Sequence, residues 1–88
     1  MSVLEIRKVD SVTGKPLSGI TFEVEKLSGE RIDTFVTDAA GRIVIPDLTP
    51  QWVVVKETKT RPGYKLDPDP VNVEIKSGKT TVVKFQNQ

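Results

Sequence analysis

The sequence contains neither cysteine nor histidine. The first absence excludes a disulfide and a thiolate metal site. The second excludes His-containing catalytic triads and His-ligated zinc. A chain without thiols suits the cytosol, and equally a surface protein that avoids them. No charge of one sign prevails: 13 basic and 12 acidic residues are interleaved, for a net charge of +1. That balance leaves no electrostatic footprint for nucleic acid or an anionic membrane. No apolar run approaches the ~20 residues needed to span a bilayer. No charged-then-apolar leader and no sorting motif is present, so if the parent protein is secreted the chain is a segment of it. At 88 residues, 1–88 reads as a single domain. A domain this small buries a modest share of its surface and often relies on a covalent or metal staple. Neither usual staple is available.

What the chain does have is a succession of short β-type runs separated by turn clusters, the pattern of an all-β sandwich or barrel. The predicted strands are Val3–Val9, Ile20–Lys26, Arg31–Thr37, Arg42–Ile45, Trp52–Thr58, Val71–Ile75 and Thr80–Asn87. The third alternates poorly. Ser28-Gly29 and Ser77-Gly78 read as turns. Asp38-Ala39-Ala40-Gly41 reads as a hairpin loop with Gly at a position of positive φ, with room for a short helical turn at Ala39-Ala40. Pro46–Gln51 is predicted as a loop. Lys59–Pro70 holds three prolines and cannot be a central strand.

Three of these strands end alike. Leu4, Ile6 and Lys8 fall on one face; so do Val53, Val55 and Glu57, and Val83, Phe85 and Asn87. The side-chain period in a strand is 2, so each polar residue points where its apolar partners point, into the core. A buried amine, carboxyl and carboxamide can together form an amide cross-link. Burial disfavours charge, moving an amine towards its nucleophilic neutral form and a carboxyl towards its acid. On pattern alone the three can equally be solvated residues at strand ends, with a Lys8–Glu57 ion pair. Register bears on the choice. Lys8 lies late in the first strand and Asn87 last in the seventh, so only a parallel pairing brings them together.

The order of signals resembles the Cna protein B-type domain, the prealbumin-like repeat of Gram-positive surface adhesins and pilins. The matching residues are Lys8-Val9-Asp10, Gly14-Lys15-Pro16-Leu17-Ser18-Gly19, Phe22, Thr37-Asp38-Ala39-Ala40-Gly41, Leu48, Glu57, Pro62-Gly63-Tyr64 and Asn87. The chain departs from the family at Gln51 and Val53, where Gly and then Tyr are usual. The resemblance implies a small immunoglobulin-like β-sandwich of about seven strands with parallel first and last strands. It also implies a spontaneous isopeptide bond between Lys8 and Asn87, promoted by Glu57. A protonated carboxyl can polarise the amide and stabilise the developing oxyanion. The fold holds the reactants together. Pro62-Gly63-Tyr64 is expected to anchor its loop onto the body.

Other signals are weaker. Asp10, Asp33, Asp38, Asp47, Asp67 and Asp69 do not have EF-hand spacing. Asp67-Pro68-Asp69-Pro70 is explained by turn chemistry. Ser77-Gly78-Lys79-Thr80 lacks the preceding glycine and following helix of a phosphate loop. Trp52, opposite Val53 and Val55, is either an exposed contact residue or second-layer packing. The expected function is a structural stalk or spacer of a cell-surface or cell-wall protein, extracellular, without cofactor or metal. Its expected partners are the neighbouring domains of the same protein, and the isolated domain is expected to be monomeric. The alternative is an adhesin module that binds a host protein or glycan through its loops. An enzyme with an external substrate is disfavoured by the lack of histidine, cysteine and a metal constellation, and a self-made bond, as a single-turnover event, does not make the chain an enzyme.

Overall fold

The computed structural model describes residues 2–66 and 69–87, with side chains for all of these except Asn87. Seven strands run in chain order: β1 (Ser2–Asp10), β2 (Thr21–Lys26), β3 (Arg31–Val36), β4 (Arg42–Leu48), β5 (Trp52–Lys59), β6 (Val71–Glu74) and β7 (Thr80–Asn87). They form two sheets, one ordered β4-β1-β7 and the other β3-β2-β5-β6. The inner faces meet in one core. Leu4 and Ile6 of β1, Ile43 and Ile45 of β4 and Phe85 of β7 line one side. Phe22 and Val24 of β2, Val53 and Val55 of β5 and Val73 of β6 line the other. The alternating runs fold as strands because each has one face to bury and one to solvate.

β1 and β7 are parallel neighbours, paired from Val3↔Thr80 to Asp10↔Asn87. The remaining strand pairings are antiparallel. A parallel pair of eight residues is roughly 23 Å long at ~3.3 Å per residue, so Ser2 and Asn87 lie at opposite ends of it.

Strand ends differ from the predicted ones by at most one residue, except that β4 and the turn before it differ more. β4 does not stop at Ile45 but continues through Pro46 to Leu48. Its pairing to β1 shifts between Leu4↔Ile45 and Ser2↔Leu48, which makes a bulge on the β4 side. Asp47 in that bulge has φ 61. β4 is an edge strand, and a proline is tolerated at an edge and within a bulge, where no ladder donor is required. The poor alternation of β3 has a similar origin. Phe35 pairs with Phe22 and Asp33 with Val24, but Arg31 pairs with Glu25, leaving Ile32 as the extra residue. Ile32 packs against the core together with Phe35, three positions away. Finally, Asp38-Ala39-Ala40-Gly41 is not a hairpin loop, because β3 and β4 lie in different sheets, and Ala39-Ala40 form a hydrogen-bonded turn, not a helix. The amide of Gly41 donates to the Asp38 carbonyl (2.9 Å), and the Asp38 carboxylate accepts the amides of Ala40 and Arg42, both at 2.9 Å. No strand occurs among the described residues between β5 and β6. Asp67 and Pro68 lie outside the described residues.

Candidate functional site

Lys8 reaches the core from β1 and Glu57 from β5, so each sheet contributes one member. Both side chains are completely buried, and Lys8 Nζ stands 3.5 Å from Glu57 Oε2. Register explains what surrounds them. Lys8 pairs with Phe85 across β1–β7, and Glu57 pairs with Phe22 across β2–β5. The two phenyl rings meet with centroids 4.8 Å apart and tilted by 50°. Lys8 Nζ lies 5.9 Å from the Phe22 ring centre and 5.8 Å from that of Phe85. The amine therefore sits against an aromatic wall, with the ring quadrupoles turned to whatever positive charge it carries.

The Lys8 backbone is held as closely as its side chain is enclosed. The β1–β4 ladder ends at Arg7↔Arg42. Beyond it, the Lys8 amide donates to the Gly41 carbonyl (2.8 Å), and the Lys8 carbonyl accepts the Leu17 amide (2.9 Å). Gly41 has φ +69, and a Cβ there would stand 2.6 Å from the Lys8 carbonyl oxygen and 2.9 Å from the Leu17 nitrogen. Only glycine fits, for reasons of both space and backbone conformation. Thr37, also buried, closes the same corner: its hydroxyl donates to the Leu17 carbonyl (2.8 Å) and accepts the Ile20 amide (3.0 Å). The segments Lys15–Gly19 and Thr37–Gly41 thus form a clamp around residue 8.

Asn87 closes β7, and its backbone pairs with Asp10, two residues past the Lys8↔Phe85 pair. Its side chain lies outside the described residues. Asp10 is itself a junction. One carboxylate oxygen accepts the amides of Val12 (2.8 Å) and Thr13 (3.0 Å), and the other accepts the Tyr64 hydroxyl (2.8 Å). These bonds, led by the Thr13 amide and then the Tyr64 hydroxyl, hold the Asp10 carboxyl below its ordinary value of 3.8. The same contact raises the Tyr64 phenol above 10.0. Tyr64 also packs against the core, so Pro62-Gly63-Tyr64 does anchor its loop to the body. Trp52, at the start of β5 and five residues before Glu57, is 48% exposed. It lines a groove between the β6 and β7 edges with Val71, Val73, Thr81 and Val83.

Strand periodicity points to Lys8 and Glu57, and the fold brings them together. Periodicity does not single out Phe22 and Phe85 as the wall, although both lie on the faces that carry the pair. The contact of Gly41 with Lys8 joins segments remote in sequence, which periodicity cannot report.

A family model described as SpaA, prealbumin-like fold domain, matches residues 2–88. The chain belongs to that family. The prealbumin-like assignment agrees with the seven-strand sandwich and with its parallel β1 and β7. Among solved structures, the TIE protein of Bacillus anthracis superposes with a TM-score of 0.89 at 28% identity, over 98% of this chain and 16% of that one. GBS52, the minor pilin of Streptococcus agalactiae, gives 0.87 at 29%, over 98% and 43% respectively. The T6 backbone pilin of serotype M6 Streptococcus pyogenes gives 0.77 at 30%, over 83% and 16%. The chain therefore spans less than half the length of each of these relatives. No curated protein matches it.

Proposed function

We propose that this prealbumin-like domain is a structural stalk or spacer module of a Gram-positive cell-surface protein or pilin, locked by an amide bond between Lys8 and Asn87 that Glu57 promotes. The observation that carries this reading is the completely buried Lys8–Glu57 pair, 3.5 Å apart, at the end of the parallel β1–β7 pair that Asn87 closes. In the reaction Lys8 Nζ attacks the Asn87 carboxamide carbon. Glu57, as the acid, hydrogen-bonds the carboxamide oxygen and passes the amine proton to the departing nitrogen. One C–N bond forms, one breaks, and ammonia leaves. The aromatic wall keeps water from the intermediate.

The likeness to pilins supports a structural role rather than an enzymatic one, with neighbouring domains or subunits as partners and an extracellular location. The bond would close a loop of about 80 residues, contributing roughly 4–5 kcal/mol in the chain-entropy description. Tension between the ends would then run through the covalent link rather than through the sandwich. The test is intact mass. The folded chain should weigh less than its sequence by one ammonia, and digestion should give Lys8 and Asn87 peptides joined. Folded protein of full unmodified mass overturns the reading.

A second reading, an adhesin module that contacts a host protein or glycan, rests on exposed Trp52 beside the β6–β7 groove. Saturable binding to collagen, fibronectin, fibrinogen or a glycan, lost on Trp52→Ala, would favour it.

A further inference from the structure

Asp10 is the last residue of β1 and the backbone partner of Asn87. Its own position is fixed from several directions. Its amide donates to the Lys15 carbonyl (2.9 Å) and its carbonyl accepts the Gly14 amide (2.9 Å). One carboxylate oxygen caps the turn that follows, through the Val12 and Thr13 amides. The other accepts the Tyr64 hydroxyl at 2.8 Å, across 54 residues of sequence. Tyr64 lies only seven residues past Glu57. Its segment is otherwise exposed from Arg61 to Leu66 and turns back through the Tyr64 amide to the Arg61 carbonyl (3.2 Å). One hydrogen bond therefore ties the chain leaving Glu57 to the residue that seats Asn87.

We propose that the Tyr64–Asp10 hydrogen bond is a latch that positions the reacting end of the domain, making Tyr64 and Asp10 positioning residues for the Lys8–Asn87 bond. The inference rests on the self-cross-linking reading above. Its physical content is a distance. Lys8 is clamped by Gly41 and Leu17, and Glu57 is fixed in β5, but Asn87 stands at the end of a strand hydrogen-bonded on one side only, to β1. Where β7 ends is set by where Asp10 is held. An amide is a poor electrophile, and a displacement of ~1 Å can cost such a reaction up to about a hundredfold in rate. A hydroxyl donating to a carboxylate is among the stronger neutral-to-charged hydrogen bonds, suited to holding that seat.

The experiment starts from the full 88-residue chain made by chemical synthesis, unlinked at the outset. Refolding starts the clock, and intact mass follows the loss of ammonia. Tyr64→Phe keeps the ring against the core and removes the hydroxyl; Asp10→Asn is the second variant, keeping shape and losing charge. Rates are compared at a temperature where circular dichroism shows wild type and both variants fully folded, so a loss of stability alone does not alter them. The expected result is complete linkage in wild type, with Tyr64→Phe slower by about tenfold or more. The double variant should be no slower than the slower single one, because both act on one contact, which Tyr64→Phe abolishes and Asp10→Asn weakens. A Tyr64→Phe rate equal to wild type overturns the latch and leaves the cross-link standing. A folded wild type that never loses ammonia overturns the cross-link itself, and the latch with it.

Discussion

The two faces of β5 carry two lysine–glutamate pairs that invite comparison. Outside, Lys56 meets Glu25 at 2.7 Å, with side chains 40% and 17% exposed. Inside, one residue further along, Glu57 meets Lys8 at 3.5 Å with nothing exposed. By distance the outer pair is the better salt bridge. By environment it is the lesser feature, because solvent and salt screen it and exposed pairs contribute little. The inner pair has given up hydration on both sides, and its mutual attraction need not repay that cost. On the proposed reading, the inner pair serves the amide bond rather than stability as a salt bridge. Enclosure, not proximity, separates the two.

The largest effect expected from breaking this comparison is that of Lys8→Ala. The nucleophile is lost, the chain stays open, and the entropic contribution of about 4–5 kcal/mol disappears. The substitution also leaves the Glu57 carboxyl buried without its amine, which adds to the loss. The melting midpoint should fall by roughly 15–40 °C or more, at ~4–8 °C per kcal/mol in a domain of this size. Pulled by its termini, the variant should extend to full contour length, whereas wild type should not. Calorimetry and single-molecule force spectroscopy read the two outcomes. A wild type that unravels at ordinary forces would remove the stalk mechanism.

The same substitution made on each pair sharpens the contrast. Glu57→Gln is isosteric but cannot shuttle a proton, so the folded chain should keep its full mass with Lys8 and Asn87 unlinked. Glu25→Gln, on the outer face, should leave the ammonia loss unchanged. If both variants link to the same extent, Glu57 is not the promoter.

The backbone that holds the inner pair comes next. Gly41→Ala forces a Cβ towards the Lys8 carbonyl oxygen, 2.6 Å away, at a φ of +69. Strain of this kind costs about 1–3 kcal/mol, so the midpoint should drop by roughly 5–20 °C. An unchanged midpoint would show that the clamp yields without cost, and that it does not fix residue 8.

A smaller effect belongs to Asp10. Its carboxyl is held below the ordinary 3.8 by the Thr13 amide, the Tyr64 hydroxyl and the Val12 amide. A depressed folded value stabilises the fold above the unfolded value, and this stabilisation is lost as pH falls through the folded one. Wild type should therefore lose stability below about pH 4. Asp10→Asn should lose less between pH 5 and pH 2.5, measured as the shift in midpoint. Identical acid profiles would mean that Asp10 does not contribute to the acid dependence.

Much of this was legible in the sequence. Strands β1, β5 and β7 announced themselves through apolar residues at every second position: Leu4 and Ile6, Val53 and Val55, Val83 and Phe85. The same alternation aimed Lys8 and Glu57 into the core, and the late positions of Lys8 and Asn87 demanded the parallel pairing that the fold has. The misreadings fall where a strand takes in an extra residue. Pro46 reads as a breaker because its edge position and the bulge at Asp47 are tertiary facts. Ile32 and Phe35 spoil the β3 pattern because the bulge opposite Val24 and Glu25 shifts their phase. What could not be read was the reach between distant segments, Gly41 to Lys8 and Tyr64 to Asp10. Turn chemistry explains a glycine at residue 41, but not that the space beside it belongs to Lys8.

The least effect is expected on the outer face. Lys56 has its ammonium raised above 10.5, first by the hydrogen bond to Glu25 and then by its charge and that of Glu23. A raised folded value stabilises the fold below the unfolded value, and this is lost only as pH rises through the folded one. Between pH 6 and pH 9 the contribution is flat and, at this exposure, small. Lys56→Met keeps the stem that lies along the sheet and removes only the charge. Its midpoint should stay within about 1–2 °C of wild type, and 1 M salt should narrow any difference, since the screening length falls to about 3 Å. Its mass should show the same loss of ammonia. A Lys56→Met variant that melted as early as Lys8→Ala would mean that the shorter distance, and not the enclosure, measures what these pairs do.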